Sequence, residues 1–274
     1  TITKGHLEVV EFFTGDGLTK NYNSLDNKVK GNLDLSIAKN TNSMYDGSHK
    51  VIGGNATDRA LLEFVGEKTF NSLKNQYKIV NTQGFNSANK FSQTEIDLGD
   101  KSYTFYKGAP ERLLEKAKYY LDDQGNKVEI NLDLLNEKID VLASRAIRVL
   151  SFGFSESSMK TSEINDDITI IGLVGIRDDV RPEARDAIKE VQEAGIQVVI
   201  ITGDRLETAV SIATDANLYH PNTDDIAITS AQLNEMSDDK VKEILPNIRV
   251  IARALPTDKS RMVRLSQELN LVCG

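Results

Sequence analysis

The sequence predicts an α/β protein in two parts, with a mostly parallel, doubly wound sheet in the C-terminal part and an α+β domain before it. From about Asp167 onward, apolar runs alternate with helical patterns at the spacing of βαβ units. The preceding residues mix polar hairpin-like segments with short strands and helices in no regular order. The length of 274 residues allows one large or two ordinary domains.

Two apolar runs in the C-terminal part, residues 168–176 and 196–201, have the composition of strands covered on both faces. Residues 182–194 are predicted to form a helix, because a proline suits the first turn and a glycine follows the apolar stripe. Asp204 and Glu207 stand at capping-box spacing at the start of the next predicted helix. The later predicted elements are helices at 204–216 and 257–269, a strand at 247–252 and the start of a strand at 271–273.

The N-terminal part carries weaker patterns, and no repeat or low-complexity tract is visible in it. Residues 15–27 form a polar segment typical of a hairpin. Apolar periodicity predicts helices at 57–69, 110–119 and 133–147 and strands at 77–82, 103–107 and 149–154.

Composition excludes several classes of protein. The 33 basic and 41 acidic residues give a formal net charge of −8 without a concentrated basic patch, which excludes bulk-charge binding to nucleic acid or anionic lipid. The single cysteine, Cys273, excludes a disulfide framework and a zinc site built from several cysteines. The three histidines are scattered and form no metal or triad signature, and no apolar run reaches the length of a membrane span.

Two patterns in the C-terminal part are candidates for phosphate binding. Thr202, Gly203 and Asp204 directly follow a predicted strand, where open α/β sheets form their ligand crevices. Lys259, with Arg253 upstream, is placed to neutralise phosphate charge in that crevice. The same residues also suit a simple turn with a helix cap and a solvated surface lysine.

Two further patterns lie in the N-terminal part. The segment 107–112 (Lys-Gly-Ala-Pro-Glu-Arg) joins a strand to a helix, so that Gly108 allows close backbone approach and Lys107 enters a pocket. The segment 85–90 (Phe-Asn-Ser-Ala-Asn-Lys) sets an aromatic ring beside polar groups, as in a shelf on which a base stacks. An ordinary turn and a core phenylalanine explain these patterns equally well. Neither a P-loop nor a Gly-x-Gly-x-x-Gly fingerprint is present.

The order of these segments resembles the large cytoplasmic loop of type II P-type cation-transporting ATPases, the group of calcium and sodium pumps. Thr1-Ile2-Thr3 is similar to the end of the family's Asp-Lys-Thr-Gly-Thr phosphorylation motif, and the segment 54–61 is similar to the one that carries an acidic residue beside adenine. The segment 178–181 resembles the family's Asp-Pro-x-Arg hinge, although Asp179 replaces the proline. The resemblance covers essentially the whole chain.

This resemblance implies ATP and Mg²⁺ as cofactors and a role for each motif. Phe85 would stack on adenine, Asp58 and Lys107 would line its pocket, and Arg148 would hold the β-phosphate side. Asp204 would contact ribose or magnesium-bound water, or only cap its helix. The implied nucleotide contacts are Asp58, Phe85, Ser87, Lys90, Lys107, Gly108, Arg148, Leu150 and Arg181. The implied phosphoryl-transfer residues are Thr202, Gly203, Asp204, Arg253 and Lys259, with no metal ligand among them.

The resemblance also implies a domain arrangement. Residues 8–178 would be a nucleotide-binding domain, inserted into an incomplete haloacid-dehalogenase-like phosphorylation domain formed by residues 1–7 and 179–274. The phosphorylated aspartate would precede Thr1 and the main magnesium motif would follow Gly274, so we expect an excised, inactive fragment. Its parent would be a membrane pump, most simply for calcium. The fragment would be soluble at the cytoplasmic face, with ATP, the transported cation and the pump's actuator domain as partners.

Two other functions fit parts of the sequence. A free-standing haloacid-dehalogenase-like phosphatase with a cap domain would share the C-terminal part, but it needs a nucleophilic aspartate on its first strand, and residues 1–10 contain none. A regulatory module that binds a nucleotide without catalysis would need neither that aspartate nor membrane spans.

Overall fold

The computed structural model describes residues 2–274, and these residues form two compact units. The larger unit consists of His6–Ala143 and Ile147–Asp178. The smaller unit contains the chain up to Gly5, Ser144–Ala146 and Asp179–Gly274. Thr1, the first residue of the segment that resembles the phosphorylation motif, lies outside the described residues.

An eight-stranded, mostly antiparallel sheet is the main feature of the larger unit. Its strand order is β4-β5-β6-β9-β10-β7-β8, with β1 paired to β10, and β10 and β7 run parallel. A separate two-stranded ribbon joins β2 to β3. The strands are β1 (Thr3–Phe13), β2 (Ser43–Tyr45), β3 (Val51–Gly53), β4 (Lys78–Asn86), β5 (Phe91–Asp97), β6 (Ser102–Gly108), β7 (Tyr119–Leu121), β8 (Lys127–Glu129), β9 (Arg148–Ser155) and β10 (Thr169–Val180).

Helices of the larger unit pack their apolar residues onto this sheet. Leu33 and Leu61 belong to one buried cluster with Phe105 and Phe152 of the sheet. Leu135 and other residues form a second cluster, and burial of such side chains is the main source of the unit's stability. The helices are α1 (Asn27–Lys39), α2 (Ala56–Val65), α3 (Glu67–Lys74), α4 (Pro110–Leu114) and α5 (Leu132–Ser144).

Two helix predictions for this unit were wrong in extent. The single helix expected at 57–69 is two helices, α2 and α3, because Gly66 between them has φ +85°, which ends the first helix. The helix expected at 110–119 ends at Leu114, and Tyr119 begins strand β7. Tyr119 pairs with Thr169 and Glu129, so long-range strand pairing overrides the local helical pattern.

The smaller unit has a parallel three-stranded sheet with helices between its strands, and the predicted α/β class is confirmed. Its strands β11 (Ile200–Ile201), β12 (Ile226–Thr229) and β13 (Ile248–Ala252) lie in the order β11-β13-β12. The helices are α6 (Pro182–Glu193), α7 (Leu206–Asp215), α8 (Ser230–Asn234), α9 (Asp238–Ile244) and α10 (Pro256–Glu268). Within residues 2–274, no helix is long and apolar enough to cross a membrane.

Two predicted strands of this unit are shorter than expected or missing. The run 196–201 forms a strand only at Ile200–Ile201, and Ile196 is 58% exposed instead of covered. Within the described chain, β11 pairs with β13 alone and therefore has hydrogen-bonded support on one edge only. Residues 271–273 form no strand, and Val272 is fully exposed. An apolar pattern does not make a strand where the described chain offers no partner strand.

Candidate functional site

A cavity of about 720 Å³ lies in the larger unit, between the end of α1, the start of α2 and one face of the sheet. This volume lies in the usual range for small-molecule and cofactor sites. Seven of the nine residues that we expected to contact a nucleotide line it: Asp58, Phe85, Ser87, Lys90, Lys107, Arg148 and Leu150.

A buried ion pair lies in the cavity wall. Lys107 Nζ is 2.7 Å from Asp58 Oδ1, and the two residues are only 8% and 5% exposed. Burial lowers the pKa of Lys107 below its ordinary value, although the neighbouring Asp58 carboxylate opposes this shift. Asn55 caps α2 through a 2.8 Å bond from the Asp58 backbone N–H to Asn55 Oδ1, which fixes Asp58 in the first helical turn.

Asn40 supplies a second polar group to the same wall. Its backbone carbonyl accepts a 2.5 Å hydrogen bond from Lys107 Nζ. Its side-chain nitrogen Nδ2 is buried and has no hydrogen-bond partner among the described residues. Buried donors are almost always paired, so a donor without a partner beside a cavity fits a ligand that carries acceptors.

Phe85 forms an exposed aromatic face on the cavity. The residue is 61% exposed on strand β4, which excludes the alternative that it is a core phenylalanine. The chain turns sharply just after it, since Lys90 has φ +60° and its N–H donates to Asn86 O at 2.6 Å. An exposed ring held beside buried polar groups suits a flat heteroaromatic ligand.

Two cations, the Ser87 hydroxyl and one apolar side chain complete the predicted set. Lys90 and Arg148 are exposed where they line the cavity, and Lys90 Nζ lies 3.0 Å from Glu111 Oε1. Leu150 follows Arg148 by two residues on β9, so both side chains emerge on the same face of the sheet. The cavity therefore combines an aromatic wall, a buried ion pair and exposed positive charge.

Gly108 and Arg181 do not line this cavity. A Cβ at Gly108 would lie 2.6 Å from Phe91 Cβ and 2.8 Å from Lys90 O, so the glycine is required by the close approach of β6 to β5. Arg181 belongs to the smaller unit, where its Nε donates to Thr3 O at 2.8 Å. Its position just before α6 makes it the N-cap residue of that helix.

Sequence reasoning missed several polar residues of the cavity. Lys39 is one of them, and it is only 8% exposed because its Nζ donates to Lys74 O at 2.8 Å and Tyr77 O at 3.1 Å. Burial lowers the pKa of Lys39. The available signal was the polar run 39–42, which directly follows the apolar residues of α1. The other missed polar residues are Asn40, Thr41, Asn42, Asn55, Thr57, Thr82 and Ser92.

The second predicted group lies in the smaller unit, at the carboxyl ends of β11 and β13. Thr202 Oγ1 donates to Asp204 Oδ2 at 3.0 Å, and Arg253 N donates to Asp204 O at 2.9 Å. Two adjacent loops thus hold Thr202, Gly203, Asp204 and Arg253 together. Lys259 is exposed in the first turn of α10.

The helix-cap prediction for Asp204 was wrong. Helix α7 begins at Leu206 with Arg205 as its N-cap, and no side chain caps it. The Asp204 carboxylate instead accepts a hydrogen bond from the Thr202 hydroxyl, and this bond holds both side chains within the loop. Across residues 2–274, no three His, Cys, Asp or Glu side chains are grouped so as to hold a metal ion.

Comparison with known proteins identifies the family. Residues 29–183, more than half of the chain, match the family model of the cytoplasmic domain N of P-type ATPases. The chain belongs to the P-type ATPase family.

Its relatives include calcium-transporting ATPases. The chain is 30% identical to calcium-transporting ATPase 1 of Saccharomyces cerevisiae, over 96% of this chain and 31% of the yeast protein. It is 34% identical to the probable calcium-transporting ATPase 6, plasma membrane-type, of Oryza sativa, over 100% of this chain and 29% of that protein. With plasma membrane calcium-transporting ATPase 3 of Homo sapiens it shares 29% identity over 96% of this chain and 24% of the human protein. The chain thus spans about a quarter to a third of the length of these relatives.

Proposed function

We propose that the chain is the ATP-binding cytoplasmic part of a P-type pump that couples ATP hydrolysis, through an aspartyl phosphate, to cation transport across a membrane. The cavity is the observation that carries this proposal, because it joins the exposed Phe85 ring to the buried Asp58–Lys107 pair and to exposed cations. Calcium is favoured as the transported cation, because the relatives named above are calcium-transporting ATPases.

The base would occupy the part of the cavity between Phe85 and the ion pair. Adenine presents a flat face for stacking, an amino group that donates and ring nitrogens that accept. The Asp58 carboxylate suits the amino group. Lys107 and Asn40 Nδ2, which has no hydrogen-bond partner within residues 2–274, suit the ring nitrogens. Leu150 supplies an apolar contact on the same wall.

The phosphates would lie toward the exposed cations. Lys90 and Arg148 offer an ammonium and a guanidinium, and both form charge-assisted hydrogen bonds with phosphate oxygens. Ser87 adds a hydroxyl on the same turn as Lys90. Because solvent reaches these cations, their attraction for phosphate weakens as salt rises.

The smaller unit would be a haloacid-dehalogenase-like phosphorylation domain formed by residues 1–7 and 179–274, with residues 8–178 as the nucleotide-binding domain. Phosphoryl transfer needs positioning and charge neutralisation more than covalent help. Thr202 and Gly203 would hold the transferred phosphoryl group, with Lys259 as its cation. Asp204 and Arg253 would fix the loops that carry them, since Arg253 N bonds Asp204 O.

Magnesium would supply charge neutralisation of the phosphates in the intact pump. The described residues contain no metal-binding cluster, so no step of this proposal passes through the metal. The acceptor aspartate and the principal magnesium motif would lie outside these 274 residues. The chain would accordingly bind ATP without becoming phosphorylated, and in the cell it would lie at the cytoplasmic face of a membrane beside the actuator domain of the same pump.

Titration of the 274-residue chain with ATP, followed by amide NMR shifts, tests the proposal. The expected result is a saturable shift of signals from the cavity residues, with no incorporation of phosphate from γ-labelled ATP. Signals of residues 226–249, in the other unit, serve as the internal control. If ATP leaves the signals of the cavity residues unchanged, the proposed function is wrong.

A further inference from the structure

The segment 107–112 does more than supply Lys107 to the cavity. Three hydrogen bonds join its end to the turn at residues 86–90, which follows Phe85. Ala109 N donates to Lys90 O at 3.0 Å, and Arg112 Nε donates to Asn89 O at 3.1 Å. The third bond joins the side chains, since Lys90 Nζ donates to Glu111 Oε1 at 3.0 Å.

Lys90 and Glu111 form an ion pair in which both side chains are exposed to solvent. Glu111 lies in the first turn of α4, directly after the proline that starts the helix. Burial raises the pKa of Glu111, but bonds from its own backbone N–H and from Lys90 outweigh burial and lower that pKa, so the side chain is charged at neutral pH. The side chains of Lys90 and Glu111 are 53% and 60% exposed.

An ion pair with this exposure contributes little to stability, so another anion replaces it at small cost. Lys90 lines the cavity, whereas Glu111 is absent from its wall. In the ligand-free chain the Lys90 ammonium therefore pairs with a carboxylate just outside the site. A polyphosphate that enters the cavity therefore has to compete with Glu111 for the Lys90 ammonium.

We propose that Glu111 is a positioning residue that competes with the ligand's phosphates for Lys90, and so lowers the affinity for polyphosphates without affecting the base. This inference rests on the proposed nucleotide site. Substitution of Glu111 by glutamine keeps the size of the side chain and removes its charge. Lys90 then has no competing carboxylate, so a phosphate binds its ammonium without first breaking an ion pair.

The test compares ligands that share a base and differ in charge. ATP, AMP and adenosine are titrated by calorimetry into the wild-type 274-residue chain and into Glu111→Gln, Lys90→Gln and the double variant. Glu115→Gln is the matched control, because Glu115 is the C-cap residue of the same helix, is also 60% exposed in its side chain, and pairs with Arg112 instead of Lys90. Unchanged amide spectra establish that each variant is folded.

The expected result is a gain of about three-fold in ATP affinity for Glu111→Gln, in the range of an exposed ion pair, with adenosine affinity unchanged. The affinity for AMP should rise less than the affinity for ATP in Glu111→Gln. Glu115→Gln should leave the ATP affinity unchanged. In the Lys90→Gln background, the further substitution Glu111→Gln should also leave the ATP affinity unchanged. An unchanged ATP affinity, an equal gain for adenosine, or a gain that persists without Lys90 overturns the inference alone. A wild-type chain that binds neither ATP nor adenosine overturns the proposed function and this inference with it.

Discussion

Lys107 Nζ lies 2.7 Å from Asp58 Oδ1 in the wall of the cavity, although 49 positions separate the two residues in the chain. Both residues are almost completely buried, so each charge is stabilised by the opposite charge of its partner. Loss of one partner leaves the other buried and uncompensated. Asp58→Leu and Lys107→Met should each destabilise the larger unit by about 3–5 kcal/mol, and the double variant should lose less than the sum.

Urea denaturation followed by NMR signals of the larger unit measures this coupling. The exposed pair of Lys116 and Asp166 is the matched control, because its atoms are also 2.7 Å apart while its side chains are 45% and 75% exposed. Lys116→Met should cost less than about 1 kcal/mol. Strictly additive losses at Asp58 and Lys107 would show that the two side chains are independent.

The Asp58–Lys107 contact also marks what could be predicted from the sequence. Both residues were singled out as candidates through motifs that keep their order along the chain, and the strand that carries Lys107 was predicted. Asn40, which bonds the same ammonium through its carbonyl, was missed because the helix that ends at Lys39 was not predicted. The apolar residues of that helix are interrupted by buried polar ones, including Asp34 and Ser36.

Strand β5 was missed for a related reason. Its buried residues Gln93, Thr94 and Glu95 are polar, and a polar run predicts an exposed segment. Gln93 Nε2 donates to Lys160 O, 67 positions away, and Glu95 accepts from the Met159 N–H, 64 positions away. Such partners make burial possible, and local patterns in the sequence do not reveal them.

The stability of the larger unit should depend on pH through Asp34. This carboxylate of α1 is 5% exposed and accepts bonds from Tyr22 OH and Lys30 Nζ. Burial raises the pKa of Asp34 to about 7 from an ordinary value of 3.8, so the folded chain binds a proton more tightly than the unfolded one. The protonated form stabilises the fold below about pH 4, and this contribution is lost as pH rises through 7.

Asp34→Asn removes that titration. Relative to wild type, the variant should gain about 1–2 kcal/mol in unfolding free energy between pH 4 and pH 8, less than the full shift allows because Lys30 and Tyr22 donate to the charged carboxylate. The exposed Asp100 provides a control, since Asp100→Asn should show no such change. A pH-independent difference between Asp34→Asn and wild type would show that this carboxylate is charged throughout.

Gly108 should tolerate no side chain. An added Cβ would lie 2.6 Å from Phe91 Cβ and 2.9 Å from Phe91 Cα, and the neighbouring backbone has no room to yield. Gly108→Ala should therefore destabilise the larger unit by about 1–3 kcal/mol. Gly84→Ala on β4 is the control, because nothing lies within 4 Å of its added Cβ. Equal unfolding midpoints for the two variants would contradict the steric argument.

Phe85 should contribute to ligand affinity and not to stability. Its ring is 61% exposed, so truncation removes little buried area, while it removes the only aromatic side chain among the residues that line the cavity. Phe85→Ala should weaken ATP binding by about 1–3 kcal/mol, the range for a base stacked on an aromatic ring, and leave the unfolding midpoint unchanged.

Val80→Ala is the matched control, since Val80 lies on the same strand, is 51% exposed and does not line the cavity. Calorimetric titration of both variants with ATP and with adenosine separates the base from the phosphates. Because stacking involves the base alone, both ligands should lose the same free energy at Phe85→Ala; a loss confined to ATP would place the ring against the phosphates instead.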